Sequence, residues 1–123
     1  MTISETIAYL QQFSKSGKPV KDLSRMQSLL EELGNPQEQL RFVHIAGTNG
    51  KGSVVAYGSA AAIAAGIKTG QFTSPFVRHY QDRIQVNGID ISDDRLCALC
   101  EQVTACHVSK ACSQFEVTLA IAL

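Results

Sequence analysis

Apolar positions recur every three to four residues in some stretches of the chain and form short continuous runs in others, and the two patterns predict different elements. Ile7, Leu10 and Phe13 share one face of a first helix, with Ser4 placed to cap its start and Gly17 to end it. Lys18-Pro19 breaks the chain, and a second helix then carries Leu23, Met26, Leu29, Leu30 and Leu33. Gly34 and Asn35-Pro36 stop it. Phe42-Val43-His44-Ile45-Ala46 is a continuous apolar run bounded by a glycine-rich turn, the pattern of a buried parallel strand, with His44 in the core. Residues 53–65 are rich in alanine and free of proline, which predicts a helix ended by Gly66, and residues 69–73 predict a second strand. Strand, glycine turn, helix and strand together make a βαβ unit, so the expected fold is α/β around a parallel sheet.

The later half alternates in a different way. Ser74-Pro75 opens a charged, irregular loop in which His79 reads as a surface residue. Residues 83–86 and 89–91 flank Asn87-Gly88, a strong signal for a β-hairpin. Ser92, Asp93 and Asp94 start a helix with Leu96, Leu99, Val103 and Cys106 at helical spacing. Ser113 and Glu116 form a capping box ahead of a last apolar run from Val117 to Leu123. That run ends without a stop signal, and a two-stranded parallel sheet leaves its faces uncovered. Both observations predict a piece of a longer chain.

Composition narrows the function classes. The 123 residues are 45% hydrophobic, ordinary usage for one small domain. Eleven basic and eleven acidic side chains cancel, which argues against a nucleic-acid partner. No basic segment precedes an apolar one at the start, and the longest apolar stretch, around residues 60–65, is too short to span a bilayer. The expectation is a cytoplasmic protein with no membrane partner. Cys97, Cys100, Cys106 and Cys112, with His107, have spacings that suggest zinc. Around a continuous helix, however, the four thiols point in at least two directions, so reduced, structural cysteines are the expected reading.

The segment with the clearest chemistry is His44-Ile45-Ala46-Gly47-Thr48-Asn49-Gly50-Lys51-Gly52-Ser53. Its glycines let backbone N–H groups turn inward where a helix begins, and the helix dipole favours an anion there. Lys51 adds a full positive charge within reach of a nucleotide's outer phosphates. The pattern departs from the strict phosphate-loop spacing, since Ile45 stands five residues before Gly50 and Gly52 follows the lysine. A complete, non-catalytic nucleotide-binding module would carry the same loop.

The run A-G-T-N-G-K-G-S resembles the phosphate loop of the folylpolyglutamate and dihydrofolate synthases, relatives of the peptidoglycan (Mur) ligases. Phe72-Thr73-Ser74-Pro75-Phe76, Asp82-Arg83-Ile84 with Asn87-Gly88, and Gln114-Phe115-Glu116-Val117-Thr118 resemble further motifs of that family, in the same order. Asp82 and Gln81 stand where the family usually has glutamate and asparagine. The resemblance implies a P-loop, Rossmann-like three-layer domain with a parallel sheet, present as its N-terminal portion with a β-hairpin. It implies an ATP-dependent ligase that adds L-glutamate to a folate or dihydropteroate carboxylate through an acyl phosphate, with ATP and Mg²⁺ as cofactors and a monomeric full-length enzyme. Gly47, Thr48, Asn49, Gly50, Lys51, Gly52 and Ser53 inherit ATP binding, with Lys51 catalytic. Ser74 inherits the magnesium contact, although a turn hydroxyl before Pro75 is the alternative. Arg83, Phe115, Glu116, Val117 and Thr118 inherit substrate contacts, and Pro19 to Lys21 match a further contacting region loosely. The family's later metal ligands and its C-terminal glutamate-binding domain have no counterpart in residues 1–123, so the chain alone is expected to be inactive as a ligase.

Overall fold

The computed structural model describes residues 1–13 and 22–123; the expected helix end at Gly17, the break at Lys18-Pro19 and the region Pro19 to Lys21 lie outside them. The described residues divide into two units, residues 1–40 with 93–123, and residues 41–92.

The first unit is helical. Helix α1 (Ile3–Gln12) begins at Thr2, whose hydroxyl accepts the Glu5 N–H at 3.2 Å while the Glu5 carboxylate accepts the Thr2 N–H at 2.7 Å. That reciprocal box places the cap two residues ahead of the expected Ser4, which lies inside the first turn. Helix α2 (Ser24–Glu32) ends as expected at Gly34, whose φ of 84° lets its N–H reach the Glu31 carbonyl and the Asn35 N–H reach that of Leu30. Helix α4 (Asp93–Thr104) buries Leu96, Cys100 and Val103, and Leu99 is only half-buried. A short 3₁₀ turn at His107–Ala111 follows, its first N–H groups held by the Glu32 carboxylate at 3.0 and 3.3 Å. Helix α5 (Gln114–Ala122) has the capping box expected of Ser113 and Glu116. Helices α1, α4 and α5 pack together, with α2 against α5 and the 3₁₀ turn. Leu10, Leu29, Leu96 and Val117 are fully enclosed in this core.

The second unit holds helix α3 (Lys51–Ala64) and strands β1 (Gly70–Phe72), β2 (Ile84–Val86) and β3 (Ile89–Asp90), arranged β1-β2-β3 with every pairing antiparallel. The hairpin of β2 and β3 turns through Asn87 and Gly88, both at positive φ as a two-residue turn of this hand requires. The Asn87 side chain also accepts the Thr69 N–H at 2.9 Å, fastening the turn to the start of β1.

The fold is therefore α/β, but the expected parallel sheet is not seen. Phe42 to Ala46 forms no strand, and Phe42 and Val43 are exposed, as is His44, against the expectation of a core position. Strand character belongs to a pair, and this run has no ladder partner among the described residues. The expected strand at residues 69–73 does form, and it takes β2 as its neighbour.

Candidate functional site

The glycine turn sits where anion chemistry requires it. Gly47 and Gly50 take φ of 154° and 77°, and Gly50 occupies the position ahead of α3 in the left-handed region that a Cβ resists. The helix starts at once, at Lys51, two residues before the expected Ser53, so Lys51, Gly52 and Ser53 supply its first-turn N–H groups. Helices α1 and α5 carry a side-chain hydroxyl on those groups, and the Ser24 N–H of α2 reaches the Asp22 carboxylate at 3.0 Å. Helix α3 has no side-chain cap and no acidic residue in its first turn. The Lys51 ammonium folds back over the turn and donates to the Gly47 carbonyl at 2.5 Å. All seven residues from Gly47 to Ser53 are exposed. Donors and positive charge thus converge on one open turn, an arrangement that suits a phosphate.

The same unit contains Ser74, exposed and joined to Pro75 by a cis peptide bond. Arg83 reaches it across the intervening loop: Nη2 lies 3.5 Å from the Ser74 hydroxyl and Nε 3.4 Å from the Thr73 carbonyl. The Thr73 N–H donates to the Arg83 carbonyl at 2.9 Å. The guanidinium stands 5.2 Å from the Tyr80 ring centre and 5.7 Å from that of Phe72, within cation–π range. Arg83 is only 7% exposed.

Asp82 closes the other side of this loop. Its carboxylate accepts the N–H groups of Val77, Arg78 and His79, the shortest at 2.7 Å. Burial pushes its pKa up. The three N–H groups and the neighbouring His79 charge together outweigh that and hold the group below its ordinary value. His79 lies at the surface as expected and pairs with Asp90 at 2.7 Å. Tyr80 was not singled out from sequence, and Phe72 and Asp82 entered only as members of the resembling motifs; for Tyr80 the local sign was an aromatic three places before an arginine.

Phe115 to Thr118 lie in the first unit. Phe115 is half exposed, whereas Glu116, Val117 and Thr118 are buried. Glu116 accepts the Ser113 N–H at 2.6 Å and pairs with Arg25 at 3.4 Å. Cys97, Cys100, Cys106 and Cys112 are free thiols, with Cys100 in the core and Cys97 accepting the Thr6 hydroxyl. Among the described residues no three side chains of ligand type gather as a metal site would need, and no helix is long and apolar enough to cross a membrane.

No protein-family model matches the chain. It is 47% identical over 81 residues to a dihydrofolate synthase/folylpolyglutamate synthase of Bacillus subtilis, covering 66% of this chain and 19% of that protein. It is 40% identical over 96 residues to a folylpolyglutamate synthase of Lacticaseibacillus casei, covering 78% of the chain and 22% of the relative. The solved folylpolyglutamate synthetase from Lactobacillus casei superposes with a TM-score of 0.89 at 33% identity, over 99% of this chain and 32% of that one. A folylpolyglutamate synthase complex with the ATP analogue AMPPCP and folate gives 0.90 at 34% identity, over 99% and 31%. The chain thus spans about a fifth of the length of these curated relatives.

Proposed function

The chain belongs by sequence and fold with the folylpolyglutamate and dihydrofolate synthases, and on that premise we propose that it carries the ATP-phosphate site of a ligase that joins L-glutamate to a folate or dihydropteroate carboxylate. The observation that carries this reading is the left-handed Gly50 directly ahead of an uncapped helix, with Lys51 folded over the turn.

In this reading the substrate carboxylate attacks the γ-phosphorus of ATP, forming an acyl phosphate and releasing ADP. The amine of glutamate then attacks the acyl carbon and expels phosphate, leaving an amide. The chain's contribution is positioning and charge neutralisation. The N–H groups of residues 51–53 and the Lys51 ammonium hold the phosphates, and Thr48 and Asn49 shape the turn between Gly47 and Gly50. Magnesium takes few protein oxygens and keeps waters and phosphates, so the exposed Ser74 hydroxyl fits it as a single ligand. When bound, the ion would neutralise charge on the phosphate oxygens. The Asp82 carboxylate, engaged by three N–H groups, is not a second ligand in this scheme. On the folate side, half-exposed Phe115 is the contacting side chain, and Glu116, Val117 and Thr118 hold the helix that presents it.

Titration of the chain with ATP in a calorimeter tests the site. Lys51→Ala is expected to weaken binding at least about tenfold, the scale of one charge-assisted phosphate contact. Equal affinity of the variant and the original chain would remove the loop from the nucleotide site. The chain alone is expected to incorporate no glutamate, and turnover by it would show that the remaining four-fifths of its relatives is dispensable.

A further inference from the structure

Arg83 carries a full positive charge yet is almost wholly enclosed. It is 7% exposed, and its hydrogen bonds go to residues 73 and 74 while its flat faces meet the rings of Phe72 and Tyr80. The Phe72 ring lies beside its guanidinium, the Thr73 carbonyl accepts from Nε, the Ser74 hydroxyl accepts from Nη2, and the Arg83 carbonyl takes the Thr73 N–H. Tyr80 supplies a second ring. The neighbouring Asp82 ties residues 77–79 at the other end of the same loop.

We propose that Arg83 is a positioning residue, which fixes the direction of the Ser74 hydroxyl and acts on a bound nucleotide through it rather than by touching a substrate. This rests on the phosphate-site reading above and adds a division of labour to it. A serine hydroxyl has one proton and two lone pairs. With the Arg83 N–H on one lone pair, the proton and the remaining lone pair face away from the guanidinium. An exposed serine otherwise samples three rotamers, so the clamp removes in advance an ordering cost that binding would meet. The planar guanidinium can lie beside two rings and reach two oxygens at once, which an ammonium cannot do.

The test is a double-mutant cycle on the 123-residue chain, with ATP affinity measured by calorimetry in the presence and absence of Mg²⁺. Ser74→Ala and Arg83→Lys are each expected to weaken MgATP binding about tenfold, and the double variant no further than Ser74→Ala alone. Binding of metal-free ATP, held by the Lys51 loop, should change less than about twofold in all three. Tyr80→Leu keeps the charge and removes one ring. It is expected to cost about threefold, an effect that vanishes when Ser74→Ala is already present. Losses that multiply in the double variant, or an Arg83→Lys chain with undiminished MgATP affinity, overturn the proposal while leaving the loop reading in place. Failure of the original chain to bind ATP at all overturns both.

Discussion

Glu116 shows how one side chain can draw two readings from a sequence. It falls in a motif that suggests substrate contact and also at the third position of a capping box. The structure gives it the cap, with 2.6 Å to the Ser113 N–H, and adds Arg25 as a partner at 3.4 Å. Glu116→Ala should cost about 2 kcal/mol in chemical denaturation, the sum of the lost bond from the buried Ser113 N–H and a partly buried ion pair. Glu116→Gln, which keeps an oxygen for Ser113, should cost less than half as much. Asp82 makes a pH prediction. Its folded pKa is depressed, so its carboxylate stabilises the fold above the ordinary value of 3.8 and loses that contribution as pH falls through the folded value. Denaturation followed from about pH 5 to about pH 2 should show this decline, and Asp82→Asn should flatten part of it. At neutral pH the same variant should be less stable by about 1–2 kcal/mol, because an amide accepts fewer and weaker bonds. Unchanged pH dependence in Asp82→Asn would mean the three N–H bonds add nothing to the fold.

At the scale of elements, glycine writes its role into the backbone. Gly66 ends α3 at φ 82°, with its N–H on the Ile63 carbonyl and the Ile67 N–H on that of Ala62, while Gly58 sits inside the same helix with open space around it. Gly66→Ala should therefore destabilise by about 1 kcal/mol, and Gly58→Ala should stabilise by about 0.5–1 kcal/mol. Thermal melts of the two variants should move in opposite directions. These helix ends were legible in the sequence because caps depend on residues three or four places apart. The hairpin was legible for the same reason, through Asn87-Gly88. Even the misplaced start of α1 had its sign, since Thr2-Ile3-Ser4-Glu5 spells a capping box. The parallel strand at Phe42 to Ala46 was not decidable locally, because a strand needs a partner that no nearby residue can name. In the candidate site, the glycine turn was readable from its glycines and lysine ahead of a predicted helix. The engagement of Arg83 and Asp82 depends on how a loop closes, which no local spacing in the sequence specifies.

Across the whole molecule the two units are unequally furnished. Of the thirteen buried hydrophobic side chains among the described residues, residues 41–92 supply only Tyr80 and Ile84. The same stretch holds nine of the thirteen exposed large ones, Val43, Tyr57 and Val77 among them. Burial of apolar surface is the main stabilising force, so the helical unit should carry most of the resistance to opening. Hydrogen exchange should leave amides of α1, α4 and α5 protected longest, with α3 exchanging at least about tenfold faster. Equal protection would show that α3 draws support from contacts other than buried side chains. The thiols offer a stopwatch for the slower event. Burial, with the adjacent Cys97 and Glu101 charges, pushes Cys100 up to about 11, and burial likewise raises Cys112. At neutral pH neither presents an accessible thiolate until the helices part. An alkylating reagent should mark Cys97 and Cys106 early and Cys100 late, so the arrival of that last label in a mass spectrum would time the breathing of the helical core without any dye, denaturant or substrate.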